Sequence, residues 1–334
     1  MIATASGTPV SITGLGCYVP ERVVTNDELA KVVDTSDEWI RTRTGIRERR
    51  YASDREALSD IALPAAELAL EGAGVKGADI DLLIVGTVTS DMLFPSTAAI
   101  LADRLGAVDA AAYDLSAGCT GFMYGITQAA GMLASGLNQR ALVIGADVLS
   151  KLMNFADRST CVLFGDGAGA VVLEPVAEQG FLGFELGADG AGGLDLSMPA
   201  GGSRMPATAE TVANDLHYVQ MNGRHVYTFA TRVLVSSAEA LLAKTGVAIE
   251  DVDVYVPHQA NVRIIDHAVA RLGIPEERVV MNVDRYGNTS SASIPLALAD
   301  AVGDGRIKQG SMVLMTGMGA GLTWGSALMR WTEA

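Results

Sequence analysis

Asp81-Leu-Leu-Ile-Val85 leads through a helical stretch to Arg104-Leu-Gly106, then a second apolar run, and ends on Ser116-Ala-Gly-Cys119 at the head of an apolar helix. The later part of the chain repeats this order. Asp253-Val-Tyr-Val256 is followed by Arg271-Leu-Gly273, by Val279 to Val283 in the place of a strand, and by Tyr286-Gly-Asn288 opening another helix. Ala141 to Ala146 likewise resembles Met312 to Gly317. Short β-branched runs alternating with stretches of helical spacing describe an α/β protein with helices on the sheet faces. A repeat this long is a duplicated domain rather than a solenoid unit. Two similar halves are therefore expected, 1–178 and 179–334, meeting where Glu174-Pro175 and Gln179-Gly180 break the pattern. Cys119 and Asn288 then occupy equivalent strand-to-helix junctions, with a shared site between the halves.

The composition supplies the core this needs. Of 334 residues, 49% are hydrophobic and 19% charged, against about 25% charged in an average domain, and mean hydropathy is +0.28. Disorder and low-complexity scaffolding are poor readings. The net charge of −15 sets nucleic-acid binding well back, because such proteins carry a basic field. Three cysteines, odd and sparse, make no disulfide framework and suit a reducing cytosol. No signal peptide is visible: the first basic residue is Arg22 and no apolar run precedes it. Two charge-free stretches, Leu115 to Gln139 and Ser311 to Met329, are laced with Gly, Ser and Thr and read as buried core, not membrane spans.

Cys119 follows an expected strand (Ala111 to Leu115) and precedes a helix, so unpaired N–H groups and the positive end of the helix dipole face the thiol. A free cysteine with a pKa near 8.5 is only about 3% thiolate at pH 7. The helix end is expected to lower that value and make the sulfur reactive. Cys17 and Cys161, in apolar strand-like context, read as inert. His258, in Val256-Pro-His-Gln-Ala-Asn-Val-Arg263, lies just past a strand end, where α/β folds hold ligands. A neutral imidazole there can exchange a proton or bond a developing oxyanion. Alone, Asn288 would be a turn residue or helix cap; its equivalence to Cys119 makes it a candidate catalyst. No spacing suggests a metal site. Gly14-Leu-Gly16 and Gly165-Asp-Gly167 read as tight turns, since neither is followed by the helix a phosphate cradle requires.

Taken in order, Ser116-Ala-Gly-Cys-Thr-Gly-Phe122, Val256-Pro-His-Gln-Ala-Asn261, Tyr286-Gly-Asn-Thr-Ser290 and Gly319-Ala-Gly-Leu-Thr-Trp-Gly325 resemble β-ketoacyl-acyl-carrier-protein synthase III. So do Thr35-Ser-Asp-Glu-Trp-Ile-Arg-Thr-Arg-Thr-Gly-Ile-Arg47 and Asp157-Arg-Ser159. The resemblance implies a thiolase-like fold, two duplicated α/β halves forming a layered αβαβα core. It implies decarboxylative condensation of a short acyl-CoA with malonyl carrier protein, without a cofactor. Cys119 would carry the acyl group as a thioester. His258 and Asn288 would hold the malonyl thioester carbonyl, and the N–H groups of Cys119 and Ala320 would form the oxyanion hole.

Carried over residue by residue, the likeness also assigns Thr35, Trp39, Arg43, Arg158 and Asn261 to coenzyme A. Phe94 would bound the acyl pocket. Gln259, Ala260, Asn261, Val262, Arg263 and Arg271 would meet the acyl carrier protein. Where many relatives have a basic residue after the aromatic of Val226-Tyr227, this chain has Thr228, which turns attention to Arg224 and Arg232. A cytoplasmic homodimer, with no nucleic-acid or membrane partner, completes the expectation. The alternative is a related enzyme of specialised, polyketide-type metabolism using an unusual acyl group. A non-catalytic partner subunit would lack Cys119, and a degradative thiolase needs a second active cysteine near the C-terminus, whereas the last here is Cys161.

Overall fold

The computed structural model describes residues 7–332. β1 (Val10–Tyr18) leads to β2 (Arg22–Thr25), α1 (Asn26–Leu29), α2 (Asp37–Thr44) and β3 (Glu48–Tyr51), with β2 and β3 paired antiparallel. Then follow α3 (Leu58–Gly72), β4 (Leu82–Gly86), α4 (Thr97–Leu105), β5 (Ala111–Leu115), α5 (Gly121–Ala134), β6 (Ala141–Asp147) and β7 (Gly167–Pro175). The first sheet has the order β1-β7-β6-β4-β5. β5 and β6 run parallel to β4, and β7 runs antiparallel to β6 and β1.

The rest of the chain lays down β8 (Gly180–Ala188), β9 (Leu196–Ser197), α6 (Ala209–Ala213), β10 (Gln220–Met221), α7 (Gly223–Thr245) and β11 (Val254–Pro257). It continues through α8 (Val262–Leu272), α9 (Val283–Tyr286) and α10 (Ser293–Gly303) to β12 (Met312–Gly319) and β13 (Thr323–Arg330). The second sheet, β11-β12-β13-β8, repeats the first: its strands take the places of β4, β6, β7 and β1, with the same parallel and antiparallel pairings. Arg104-Leu-Gly106 and Arg271-Leu-Gly273 end α4 and α8 in the same left-handed cap.

One strand of the repeat is missing. Val279 to Val283 stands where β5 stands in the first half, yet only Val279 bridges to Tyr255. The N–H groups of Asn282 and Val283 bond instead to the Gln259 side-chain oxygen at 2.9 and 3.2 Å, and the chain turns into α9.

Alternate residues of each strand enter different cores. Leu82 and Ile84 of β4 face a central core with Phe122, Met123 and Ile126 of α5 and Ile294, Ala297 and Leu298 of α10. Leu83 and Val85 face α3 and α4 outside the first sheet. α7 and α8 cover the outside of the second sheet. The layers are therefore α3/α4, sheet, α5/α10, sheet, α7/α8, the αβαβα stack. Both charge-free stretches lie inside it, as α5 and as the β12–β13 hairpin. Among the described residues, one helix, α7, is long and apolar enough to cross a membrane, and half of its most apolar window is packed against the second sheet.

Gly14 and Gly16 are not in a turn. They lie within β1, where a Cβ on Gly16 would stand 2.3 Å from the Ala65 carbonyl oxygen of α3. The glycines clear room for a helix packed directly on the strand. Gly16→Ala is therefore expected to lower stability by about 1–3 kcal/mol, measured as a reduced urea midpoint at unchanged m-value.

Candidate active site

Cys119 lies in the turn between β5 and α5, at the inner end of the central layer. Thr120 and Thr323, whose hydroxyls are 2.8 Å apart, both reach the Ala117 carbonyl, at 2.5 and 2.9 Å. The Ser291 hydroxyl donates to the Gly118 carbonyl at 3.1 Å. These bonds fix the cysteine turn to the start of β13 and to the segment entering α10. A Cβ on Gly319 would lie 2.4 Å from the Cys119 nitrogen, and one on Gly118, at φ +56°, 2.5 Å from the Ala320 nitrogen. The two backbones thus touch. Among the described residues, neither the Cys119 nor the Ala320 N–H donates to a backbone acceptor, which leaves both for a ligand oxygen.

His258 follows the last residue of β11, its N–H donating to the Thr316 carbonyl at 2.7 Å. Its Nδ1 is 2.5 Å from the Ser293 hydroxyl oxygen. That oxygen also accepts the Gln259 N–H at 3.4 Å; where its own proton goes to Nδ1, the imidazole carries its proton on Nε2. Nε2 is buried and has no protein partner. In that tautomer it is a donor facing the cavity that Cys119 and Asn288 also line. Burial pushes the His258 pKa down to about 4, which keeps the ring neutral near pH 7.

Asn288 follows α9. Its backbone is pinned by bonds to the Leu163 carbonyl and from the Gly165 N–H, at 2.9 and 3.0 Å. Its side-chain oxygen accepts the Ser290 N–H at 2.9 Å, which fixes the amide orientation and leaves Nδ2 as a second donor.

A cavity of about 100 Å³ is lined by Cys119, His258 and Asn288 together, with Val226, Tyr227, Asn261 and Ile264. A second, apolar cavity of about 140 Å³ is lined by Cys119, Val88, Leu149, Leu152, Phe164 and Val219. Cys119, Phe164 and Leu196 line both. Cys119 therefore stands where the two cavities meet, both of them mostly apolar, the first carrying the polar groups of His258, Asn261 and Asn288. Among the described residues no group of three His, Cys, Asp or Glu side chains is placed to hold a metal.

The ionisation of Cys119 differs from the sequence expectation. Burial pushes the thiol up to about 12, against a smaller lowering contribution from the Ser290 side chain. The helix end does not outweigh desolvation. Phe94 is also placed otherwise: it is 83% exposed and lines neither cavity. Gln259 and Ala260 are buried and present no surface to a carrier protein. The Gln259 amide donates to the Pro257 and Val280 carbonyls at 2.8 and 3.0 Å and accepts the two N–H groups that divert Val279–Val283 into α9. Val262 is half-buried, while Arg263, Arg271, Arg224 and Arg232 are exposed.

Trp39, Arg43 and Arg158 meet in a surface cluster, the two guanidinium carbons 5.0 and 5.1 Å from the indole centroid. The Thr35 hydroxyl oxygen is buried nearby in sequence without a partner. None of these four lines the cavities. Asn261 does, and its side chain caps α8 by accepting the Arg263 N–H at 2.9 Å. Sequence reasoning missed Ser290, Ser293 and Asp147. The first two stand in the polar run Asn288-Thr-Ser-Ser-Ala-Ser293; Asp147 is the acid closing the otherwise apolar β6.

Family models for 3-oxoacyl-[acyl-carrier-protein] synthase III match residues 113–190, and for its C-terminal part residues 242–331. The chain is 58% identical over 324 residues to a beta-ketoacyl-[acyl-carrier-protein] synthase III of Symbiobacterium thermophilum, covering 97% of this chain and 98% of that one. It superposes with TM-score 0.90 on the synthase III of Thermus thermophilus, at 48% identity over 97% of this chain and 100% of that one. The priming beta-ketosynthase of the R1128 polyketide pathway gives 0.91 at 37% identity, over 98% of each chain.

Removing the Ser293 hydroxyl frees Nδ1 to take the imidazole proton and turns Nε2 into an acceptor. Ser293→Ala is expected to slow decarboxylation of malonyl carrier protein by about 10–100-fold while leaving acylation by acyl-CoA within a factor of two or three, read by separate carbon dioxide and intact-mass assays.

Proposed function

The chain belongs to the 3-oxoacyl-[acyl-carrier-protein] synthase III family, and from that premise we propose how its residues divide the reaction. The enzyme is a condensing acyltransferase that initiates fatty-acid synthesis from a short acyl-CoA and malonyl carrier protein. The observation that carries the assignment of residues is the single cavity shared by Cys119, His258 and Asn288.

In the first half-reaction Cys119 attacks the acyl-CoA carbonyl. The oxygen that becomes negative is received by the N–H groups of Cys119 and Ala320; one such donor is worth about 3–4 kcal/mol in the transition state. The carbon–sulfur bond to coenzyme A breaks, and the acyl chain lies in the apolar pocket beside Val88, Leu149 and Leu152. The malonyl thioester then enters the other cavity. Its carbonyl oxygen accepts bonds from His258 Nε2–H and Asn288 Nδ2–H, so the electrons released with carbon dioxide rest on an enolate already bonded twice. The enolate carbon attacks the acyl thioester, the Cys119–acyl bond breaks, and 3-oxoacyl carrier protein leaves. Two neutral donors suit this step better than a charged imidazolium, because they leave the departing carboxylate with no cation to hold it back.

Coenzyme A is assigned to the Trp39, Arg43 and Arg158 cluster with Thr35, its adenine entering between Trp39 and Arg158, while Asn261 meets the arm in the passage. The carrier protein is assigned to Asn261, Val262, Arg263 and Arg271, with Arg224 and Arg232 extending the basic surface. Local arginines steer an acidic partner despite the net charge of −15. A homodimer is supported by β5, which is an open edge of its sheet, and by Met92, Leu93 and Phe94, exposed at 49%, 83% and 83%. Phe94 then bounds the acyl pocket of the second copy rather than its own. Three free cysteines fit a cytoplasmic enzyme. A second reading, priming of a polyketide with an unusual acyl group, is favoured by the R1128 likeness.

A panel of acyl-CoAs tests the assignment. Wild-type protein is expected to gain one acyl mass with short primers and then release carbon dioxide with malonyl carrier protein, whereas Cys119→Ala gains none. An acyl adduct retained on Cys119→Ala would refute the nucleophile. Acylation confined to unusual primers would favour the second reading.

A further inference from the structure

Arg49, in β3, is fully buried, with 0% of its surface exposed, and it lines neither cavity. Its Nη1 donates to the Asn26 side-chain oxygen at 2.8 Å and to the Val24 carbonyl at 3.3 Å. Its Nη2 donates to the Val162 carbonyl at 2.8 Å. All three acceptors are neutral, and Nε has no partner among the described residues. A cation buried without a counter-charge is costly to desolvate. An apolar side chain would fill the same space without that cost, so the bonds themselves call for an explanation.

What the guanidinium holds is the strip of chain against which Asn288 is set. The Leu163 carbonyl, next after Val162, accepts the Asn288 N–H at 2.9 Å, and the Gly165 N–H donates to the Asn288 carbonyl at 3.0 Å. Phe164, between them, is bridged to Asn288. The Arg49 stem lies under the same strip. A Cβ on Gly165 would stand 3.1 Å from the Arg49 Cβ, and one on Gly287, directly before Asn288, would stand 3.3 Å from it. Bonds on either side of Arg49 tie its strand to the same two segments. The Arg50 carbonyl accepts the Asp166 N–H at 2.8 Å, and the Arg47 N–H donates to the Asp284 carbonyl of α9 at 2.9 Å.

We propose that Arg49 is a positioning residue for decarboxylation, holding the Val162–Gly165 strip so that the Asn288 amide points at the malonyl thioester. The inference rests on the reading of Asn288 as a donor to that thioester. Acceptors that arrive from three segments suit a planar fork of donors, which a lysine ammonium does not reproduce. The coenzyme A side is insulated from the fork. Asn26 also donates to the Asp37 carboxylate of α2 and to the Ile46 carbonyl, both at 2.8 Å, so α2 keeps its own tether when the guanidinium is lost. Cys119 is held by Thr120, Thr323 and Ser291, none of which Arg49 bonds. Loss of Arg49 therefore falls on the second half-reaction.

The test is carbon dioxide release from malonyl carrier protein by acetylated enzyme, in wild type, Arg49→Lys and Arg49→Met. Rates are counted per acetylated Cys119 by intact mass, so unfolded protein drops out. Lysine keeps the charge and loses the fork; methionine keeps the apolar stem and loses both. Both variants are expected to lower kcat for release by about 10–100-fold, with acetylation and the KM for malonyl carrier protein within about threefold of wild type. In an Asn288→Ala background, where no amide remains to be placed, Arg49→Lys is expected to cost less than about twofold. In a Ser293→Ala background, which acts through His258, it keeps its full effect. A general weakening of the fold would lower the rate by one factor in every background. Equal losses in the two backgrounds, wild-type release by both Arg49 variants, or a loss confined to KM or to acetylation overturns the proposal. So does failure of both variants to give acetylatable protein, which would make Arg49 a support of the whole fold. Wild-type release by Asn288→Ala is a separate result, and it overturns the reading of Asn288 beneath the proposal.

Discussion

Taking the Cys119 sulfur out of water is the constraint around which the rest of the structure is arranged. A thiol at a helix start is normally easier to ionise, yet here burial raises it to about 12, and the same dryness holds His258 neutral. What the site offers a substrate is therefore a set of uncharged, pre-aimed groups: two backbone N–H groups, an imidazole N–H and an amide N–H. Such donors gain most where the dielectric is low, and they need no reorganisation when charge develops on a thioester oxygen. The Nε2 of His258 is buried with no protein partner.

The duplicated architecture makes this dryness possible. α5 and α10 form the middle layer between two sheets, and each is entered by a segment carrying a functional side chain, Cys119 before one and Asn288 before the other. His258 arrives from the end of β11, between them. Polar groups buried so deeply must be held by the protein itself, and they are. Ser293 orients His258, the Ser290 N–H orients Asn288, and Thr120, Thr323 and Ser291 hold the cysteine turn. The same polar run before α10 thus reaches both cavities, Ser293 through its bond to His258 and Ser290 by lining the pocket beside Val88 and Leu149.

Much of this was legible in the sequence because the repeat is written in local patterns: apolar runs, the matched Arg-Leu-Gly helix ends, and Cys119 and Asn288 at equivalent positions. What was not legible depends on distant neighbours. A strand at Val279–Val283 fits the local pattern, but the Gln259 amide, more than twenty positions away, captures its N–H groups. Gln259 in turn looked like surface and is interior scaffolding. Gly14 and Gly16 have turn-like composition, and only the approach of α3 explains them. The thiol was read from the helix end alone, which omits desolvation, a property of the whole fold. Phe94 fits the family pattern, yet a single chain leaves it in solvent. Asp147 gave no signal beyond an acid at the end of an apolar strand.

On the proposed division, Cys119 separates two cavities with different duties, the one beside Val88 and Leu149 for the acyl chain and the one that carries His258 and Asn288 for the thioester that arrives. A crystal structure of the acylated enzyme, prepared with a four-carbon acyl-CoA, tests it most directly. Density continuous with the Cys119 sulfur is expected to run between Val88, Leu149 and Leu152, with the thioester oxygen on the Cys119 and Ala320 nitrogens and the His258 side left open. An acyl chain lying instead along Tyr227 and Ile264, or a thioester oxygen bonded to His258, would contradict the account.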